Sequence, residues 1–132
     1  MLSRPQLFCY NIANMGLTTV VLEITSPEDK TKTIKGEFLV DSGAFYTVLP
    51  KRMVNKLNLK PATTREFSLA DGTTIKRALS SAYITFKDDK IASPVILGKA
   101  GDSPLMGTLT LESFGLILDP FNRKLHPAKL ML

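Results

Sequence analysis

Cysteine and histidine are almost absent: Cys9 and His126 are the single examples in 132 residues. One cysteine excludes an intramolecular disulfide, and the two residues together cannot supply a Cys/His zinc cluster. No run approaches the about 18 apolar residues of a membrane-spanning helix, so no membrane partner is expected. The opening residues, MLSRPQLFCYNIANMG, contain no apolar run of about 7 residues, and a cleaved signal peptide is not expected. No Asn-x-Ser/Thr glycosylation acceptor occurs either. These absences predict a cytoplasmic protein in a reducing compartment.

What is present fits one folded unit. Hydrophobic residues make up 44% and charged residues 22%, ordinary values for a chain with one core. At this length a second large lobe is excluded, unless two copies associate. Lys and Arg number 17 against 12 Asp and Glu, for a net charge of +5 and a pI near 9.4. The basic residues are scattered, with no run and no alternation with aromatics. They read as a mildly cationic surface, and nucleic acid is not expected as a partner.

The periodicity is mostly that of strands. Leu17 to Thr25 and Thr33 to Val40 are rich in β-branched and aliphatic residues and predict a hairpin across the polar turn 26–30. Residues 1–14 precede this pattern as an N-terminal extension, leaving 15–132 as a single domain. Pro50 suits a first helical position, and Met53, Val54 and Leu57 share one face of a short helix that Pro61 closes. Phe67 to Ala70 and Thr73 to Ala78 flank Asp71-Gly72, a strong hairpin signal. Ala82 to Phe86 and Ile91 to Leu97 continue as strands, with Pro94 arguing for an edge or bulge. A second short helix follows Leu105-Met106-Gly107, capped by Thr108 and ended by Gly115. Leu116 to Leu118 and a piece near Leu125 complete about seven or eight strands. The expectation is a mostly β protein with one or two short helices, its strands antiparallel in a small closed β-barrel.

Chemistry concentrates at Phe38-Leu39-Val40-Asp41-Ser42-Gly43-Ala44. A carboxylate directly after an apolar strand has its backbone fixed by the core. Ser42 offers a hydroxyl, Gly43 permits a tight bend, and Ala44 leaves room for another chain. The plainer alternative is a strand ending in a solvated turn, but apolar sequence on both sides argues against it.

FLVDSGAFYTVLP resembles the catalytic segment of retropepsin-like aspartic proteases. Pro104-Leu105-Met106-Gly107 is similar to their apolar-apolar-Gly element after the flap, and LTLESFGLILDP to their C-terminal helix and strand. Leu69-Ala70-Asp71-Gly72-Thr73-Thr74 falls where their flap hairpin should be. The likeness is to the single-domain, prokaryotic-type members, and it covers about Leu17 to Leu125 in the right order. It departs from the pattern in having Ser42 for the commoner Thr and an Asp-Gly flap tip for a glycine-rich run.

The resemblance implies an endopeptidase that cuts extended polypeptides. Hydrolysis by this route needs one ionised carboxylate to activate water and one protonated carboxyl to polarise the carbonyl. Two carboxyls about 3 Å apart cannot both ionise cheaply, so they share a proton. With one Asp-Ser-Gly in the chain, the second carboxyl must come from another copy, which implies a homodimer. Asp41 is then the catalytic carboxylate, and Ser42, Gly43 and Ala44 support its loop. Ala70, Asp71, Gly72 and Thr73 cover the substrate, while Leu105, Met106 and Gly107 pack beneath the loop. No metal or organic cofactor is implied. The alternative function is a non-catalytic peptide-binding or scaffolding dimer on the same fold.

Other candidates are weaker. Asp119 before Pro120 reads as a turn, Asp71 as turn chemistry, and Glu112 as an exposed helix face. Ser42 lacks a G-x-S-x-G context, and Cys9 lies far along the sequence from His126.

Overall fold

The computed structural model describes residues 18–119, 121–128 and 131; the expected extension at 1–14 lies outside them. Nine strands and two short helices are found among these residues, so the protein is mostly β. Strands β1 (Thr19–Thr25) and β2 (Thr33–Val40) form the expected hairpin, in register from Thr25 opposite Thr33 to Thr19 opposite Leu39. Alternation decides their orientation: Val20, Leu22 and Ile24 point inward, while Val21 stays exposed.

Strand β3 (Thr47–Leu49) leads into α1 (Lys51–Leu57), whose Met53 and Leu57 are buried. Pro50 sits one position earlier than expected, at the N-cap with ψ 155°, and its carbonyl accepts from the Met53 and Val54 N–H groups. The helix also stops before Pro61. Asn58 turns left-handed at φ 54°, and the Leu59 N–H reaches back to the Val54 carbonyl, which satisfies the last turn locally.

Strands β4 (Thr63–Ser68), β5 (Thr74–Phe86) and β6 (Asp89–Leu97) follow. The sequence divides β5 into two strands at Ser80-Ser81, but the backbone continues through. Those two residues pair with Val95 and Pro94 of β6, so cross-strand partners hold extended a stretch that lacks apolar character. Its first half pairs with β4, and Glu23 to Thr25 of β1 meet it near the far end. Pro94 is locally at an edge, because β3 pairs with β6 only from Val95 onward.

Strand β7 (Leu105–Met106), α2 (Thr108–Ser113), β8 (Leu116–Asp119) and β9 (Lys124–Pro127) complete the chain. The seven-stranded sheet runs β1-β2-β7-β3-β6-β5-β4, with β1 also pairing β5, and β8 and β9 form a separate hairpin. Not every neighbour is antiparallel as local succession suggested. Strand β7 runs parallel to β2, and β3 runs parallel to β6. The first arises because β7, distant in sequence, is inserted between the consecutive strands β2 and β3, and the second because the chain passes through α1, β4 and β5 before β6 returns to the other side of β3. Phe38, Leu22, Ile24, Leu49, Met53 and Met106 fill the core beneath this insertion. Among the described residues no helix is long and apolar enough to cross a membrane.

Candidate active site

Asp41 is the first residue past β2, and its backbone still belongs to the sheet. Along a strand successive N–H groups face opposite neighbours. The Leu39 and Asp41 N–H groups donate to the Pro104 and Met106 carbonyls, while Val40 N–H donates to Thr18 on the other side. The Asp41 carbonyl accepts from Ala44 N–H at 3.1 Å, closing a tight turn. The carboxylate is half-buried, and its Oδ1 accepts from Gly43 N–H at 2.8 Å. Oδ2 has no hydrogen-bond partner among the described residues, so one oxygen remains available to a water or a second carboxyl. Ser42 is exposed, and its hydroxyl likewise bonds to nothing among them.

Below the turn, α2 starts against the same loop. The first N–H groups of a helix lack intrahelical acceptors. Those of Thr108 and Leu109 donate to the carbonyls of Ala44 and Phe45, at 2.8 and 2.9 Å. For this reason no side-chain cap is needed: Gly107, not Thr108, occupies the N-cap. Gly115 does follow the helix end, at φ 73°. Gly107 N–H donates to Thr47 Oγ1 at 3.0 Å. Thr47 in turn shares a 2.6 Å hydrogen bond with Thr110, which also bonds Ser93 at 3.0 Å. All three hydroxyls are buried, so they tie β3, β6 and α2 together in a setting where an unpaired hydroxyl would be costly. Sequence reading missed this cluster, since its members lie 17 and 63 positions apart.

The hairpin of β4 and β5 carries Ala70, Asp71, Gly72 and Thr73 at its tip. Gly72 N–H donates to the Leu69 carbonyl at 2.9 Å, and Leu69 N–H donates to Thr73 at 2.7 Å. With Gly72 at φ 90°, this is a type I turn followed by a glycine bulge. Asp71 accepts from both the hydroxyl and the N–H of Thr73, which lowers its carboxyl pKa below the usual value. Its carboxylate is therefore used by its own turn.

Arg77 of β5 grips Asp102, in the loop before β7, through Nε at 2.7 Å and Nη2 at 3.1 Å. That hydrogen bonding, chiefly from Arg77 and also from Lys99 N–H, holds the Asp102 carboxyl below its ordinary 3.8 against an opposing effect of burial. A depressed folded-state pKa gives stability that is complete above the unfolded value and lost as pH falls through the folded one. Asp102→Asn should thus cost about 1–2 kcal/mol near neutral pH. Thermal melts of variant and parent should converge as the pH is lowered below 3.8.

The other two carboxylates that the sequence raised are not placed for the same chemistry. Asp119 accepts from the Phe121 and Asn122 N–H groups and from the Asn122 side chain, with His126 at 3.3 Å. Asn122 is the main cause of its lowered pKa. Glu112 is exposed on α2. No group of three or more His, Cys, Asp or Glu is placed to hold a metal among the described residues.

A family model described as "gag-polyprotein putative aspartyl protease" matches residues 31–113, a span from the start of β2 through α2. The fold is similar to that of the EIAV protease complexed with the inhibitor HBY-793, with TM-score 0.59 and 20% identity over 93% of this chain and 98% of that one. It is also similar to the solution structure of simian foamy virus (mac) protease, with TM-score 0.53 and 16% identity over 74% of this chain and 94% of that one. No curated protein sequence matches.

Proposed function

The chain belongs to the gag-polyprotein aspartyl protease family, and from that premise we propose that it is an endopeptidase working as a homodimer. One observation carries this reading: Asp41 stands on a backbone anchored to β7, with one carboxylate oxygen uncommitted. A single carboxyl cannot be base and acid at once, so a second Asp41 completes the site. The pair binds one water, which attacks the carbonyl of an extended peptide. One carboxylate takes the water's proton while the protonated partner gives its own to the carbonyl oxygen, forming a gem-diol. As the diol collapses and the C–N bond breaks, the newly protonated carboxyl gives its proton to the leaving amine and its partner takes one back from the diol, which restores the shared-proton pair.

Ser42 supports the same reading, because its exposed hydroxyl is available to bridge two copies. The Thr18 hydroxyl also donates to the Arg123 carbonyl, and the Thr18 carbonyl accepts from Val40 N–H. Thr18 thereby links the β8–β9 turn to the strand that leads into Asp41. Phe121 in that turn is 89% exposed, an apolar side chain suited to burial by a second subunit. We read the succession of pairings β1-β2-β7-β3-β6-β5 and back to β1 as a small closed barrel, with the β4–β5 hairpin as the flap. On this reading Ala70 to Thr73 lie over the substrate and lend it backbone hydrogen bonds, while Leu105, Met106 and Gly107 carry the Asp41 loop from below.

Dilution tests the dimer. Cleavage of unfolded casein per milligram of protein should fall steeply below the concentration at which the solution mass changes from dimer to monomer. Constant specific activity from a monomeric particle would refute the proposal.

A further inference from the structure

We propose that Tyr46 is a positioning residue that docks the β4–β5 hairpin onto the Asp41 loop through the ring of Phe67. Among the described residues strand β4 pairs only with β5, and its residues are exposed with one exception, Phe67. The Phe67 ring meets Tyr46 edge-on, with centroids 6.1 Å apart and planes at 88°. Tyr46 in turn meets Phe45 edge-on at 5.0 Å. Both distances and angles are those of a favourable aromatic pair.

Tyr46 lies five residues after Asp41, and Phe67 lies two residues before Leu69, where the hairpin tip begins. The ring contact thus joins the segment that carries the carboxylate to the segment proposed to cover it. Tyr46 has little freedom of its own, since the Phe45 carbonyl accepts from Leu109 N–H and Thr47 is fully buried. A hairpin of two strands is marginal in water unless something packs against it. Strand β6 supports β5 only from Ala78 onward and Arg77 holds Asp102; nearer the tip, the Phe67 ring meets the loop that follows Asp41, so the height of the flap is referenced to that loop.

This inference rests on the proposed protease reading for its kinetic consequence but not for its structural one, and the experiment separates them. Hydrogen exchange of the Leu69 and Gly72 amides, both bonded within the tip, is measured in the parent, Tyr46→Ala and Tyr46→Phe. Tyr46→Ala leaves the hairpin sequence untouched, yet its tip amides should exchange about fivefold faster, as loss of one aromatic pair implies. Tyr46→Phe keeps the ring and should exchange like the parent. Unchanged tip exchange in Tyr46→Ala overturns the proposal, as does a Tyr46→Phe protein as loose as Tyr46→Ala. If Tyr46→Ala does not fold, Phe67→Leu, which removes the ring from the other side, is held to the same criteria. With a fluorogenic peptide built around a bond cut in casein, KM should rise about fivefold in Tyr46→Ala with kcat changed less than about twofold. A fall in kcat at constant KM would count against a docking role. A parent that cuts nothing would refute the protease reading, while the exchange comparison would still decide the docking.

Discussion

Asp41→Asn is expected to lower peptide hydrolysis by at least about a thousandfold while leaving the melting temperature close to that of the parent. The substitution keeps the side chain's shape, and the amide oxygen can still accept from Gly43 N–H as Oδ1 does at 2.8 Å. The anchoring bonds from Asp41 N–H to Met106 and from Ala44 N–H to Asp41 are backbone bonds and are untouched. What is removed is the capacity to hold or release a proton. The loss should also be dominant. With freely exchanging subunits, a threefold excess of Asp41→Asn chains should cut the parent's activity to about a quarter, because most parent chains then sit in mixed dimers. Cleavage by Asp41→Asn at the parental rate would end the assignment. A dimer that binds peptides without cutting them, before any substitution, would make the protein a binding module instead.

Gly107→Ala should be strongly damaging for so small a substitution, costing about 3 kcal/mol and lowering the melting temperature by about 10 °C. A Cβ at this position would lie 2.5 Å from the Phe45 carbonyl oxygen and from the carbonyl carbon and oxygen of Tyr46. These are backbone atoms of the Asp41 loop, which cannot rotate aside as a side-chain end can. The loop must move, and it would take with it the bonds from Thr108 and Leu109 to Ala44 and Phe45. Activity should therefore fall further than the folded fraction does. Circular dichroism melts and active-site occupancy measured on the same samples separate the two effects. A variant with parental stability and rate would show that the close packing of α2 on the loop is dispensable.

Much of this site was legible in the sequence because its signals are local. Alternating apolar residues mark β1 and β2, Asp-Ser-Gly follows directly on Phe38-Leu39-Val40, and Asp71-Gly72 between polar strands marks a tight turn. Each pattern acts within a few residues, where side-chain period and turn chemistry dominate. The same locality explains the errors. Ser80-Ser81 looked like a break, Pro61 like a helix stop and Thr108 like a cap. In each case a partner elsewhere, or a left-handed Asn58 nearer at hand, had already satisfied the backbone.

The sequence by itself thus determined the mostly β character, the order of its elements and the candidate carboxylate. Tertiary structure alone decided that β7 enters between β2 and β3, that Thr47, Thr110 and Ser93 meet in the core, and that Tyr46 reaches Phe67. The physical reason is that buried donors and acceptors must find partners wherever the folded chain brings them. No short-range pattern records which residues, tens of positions away, those partners will be.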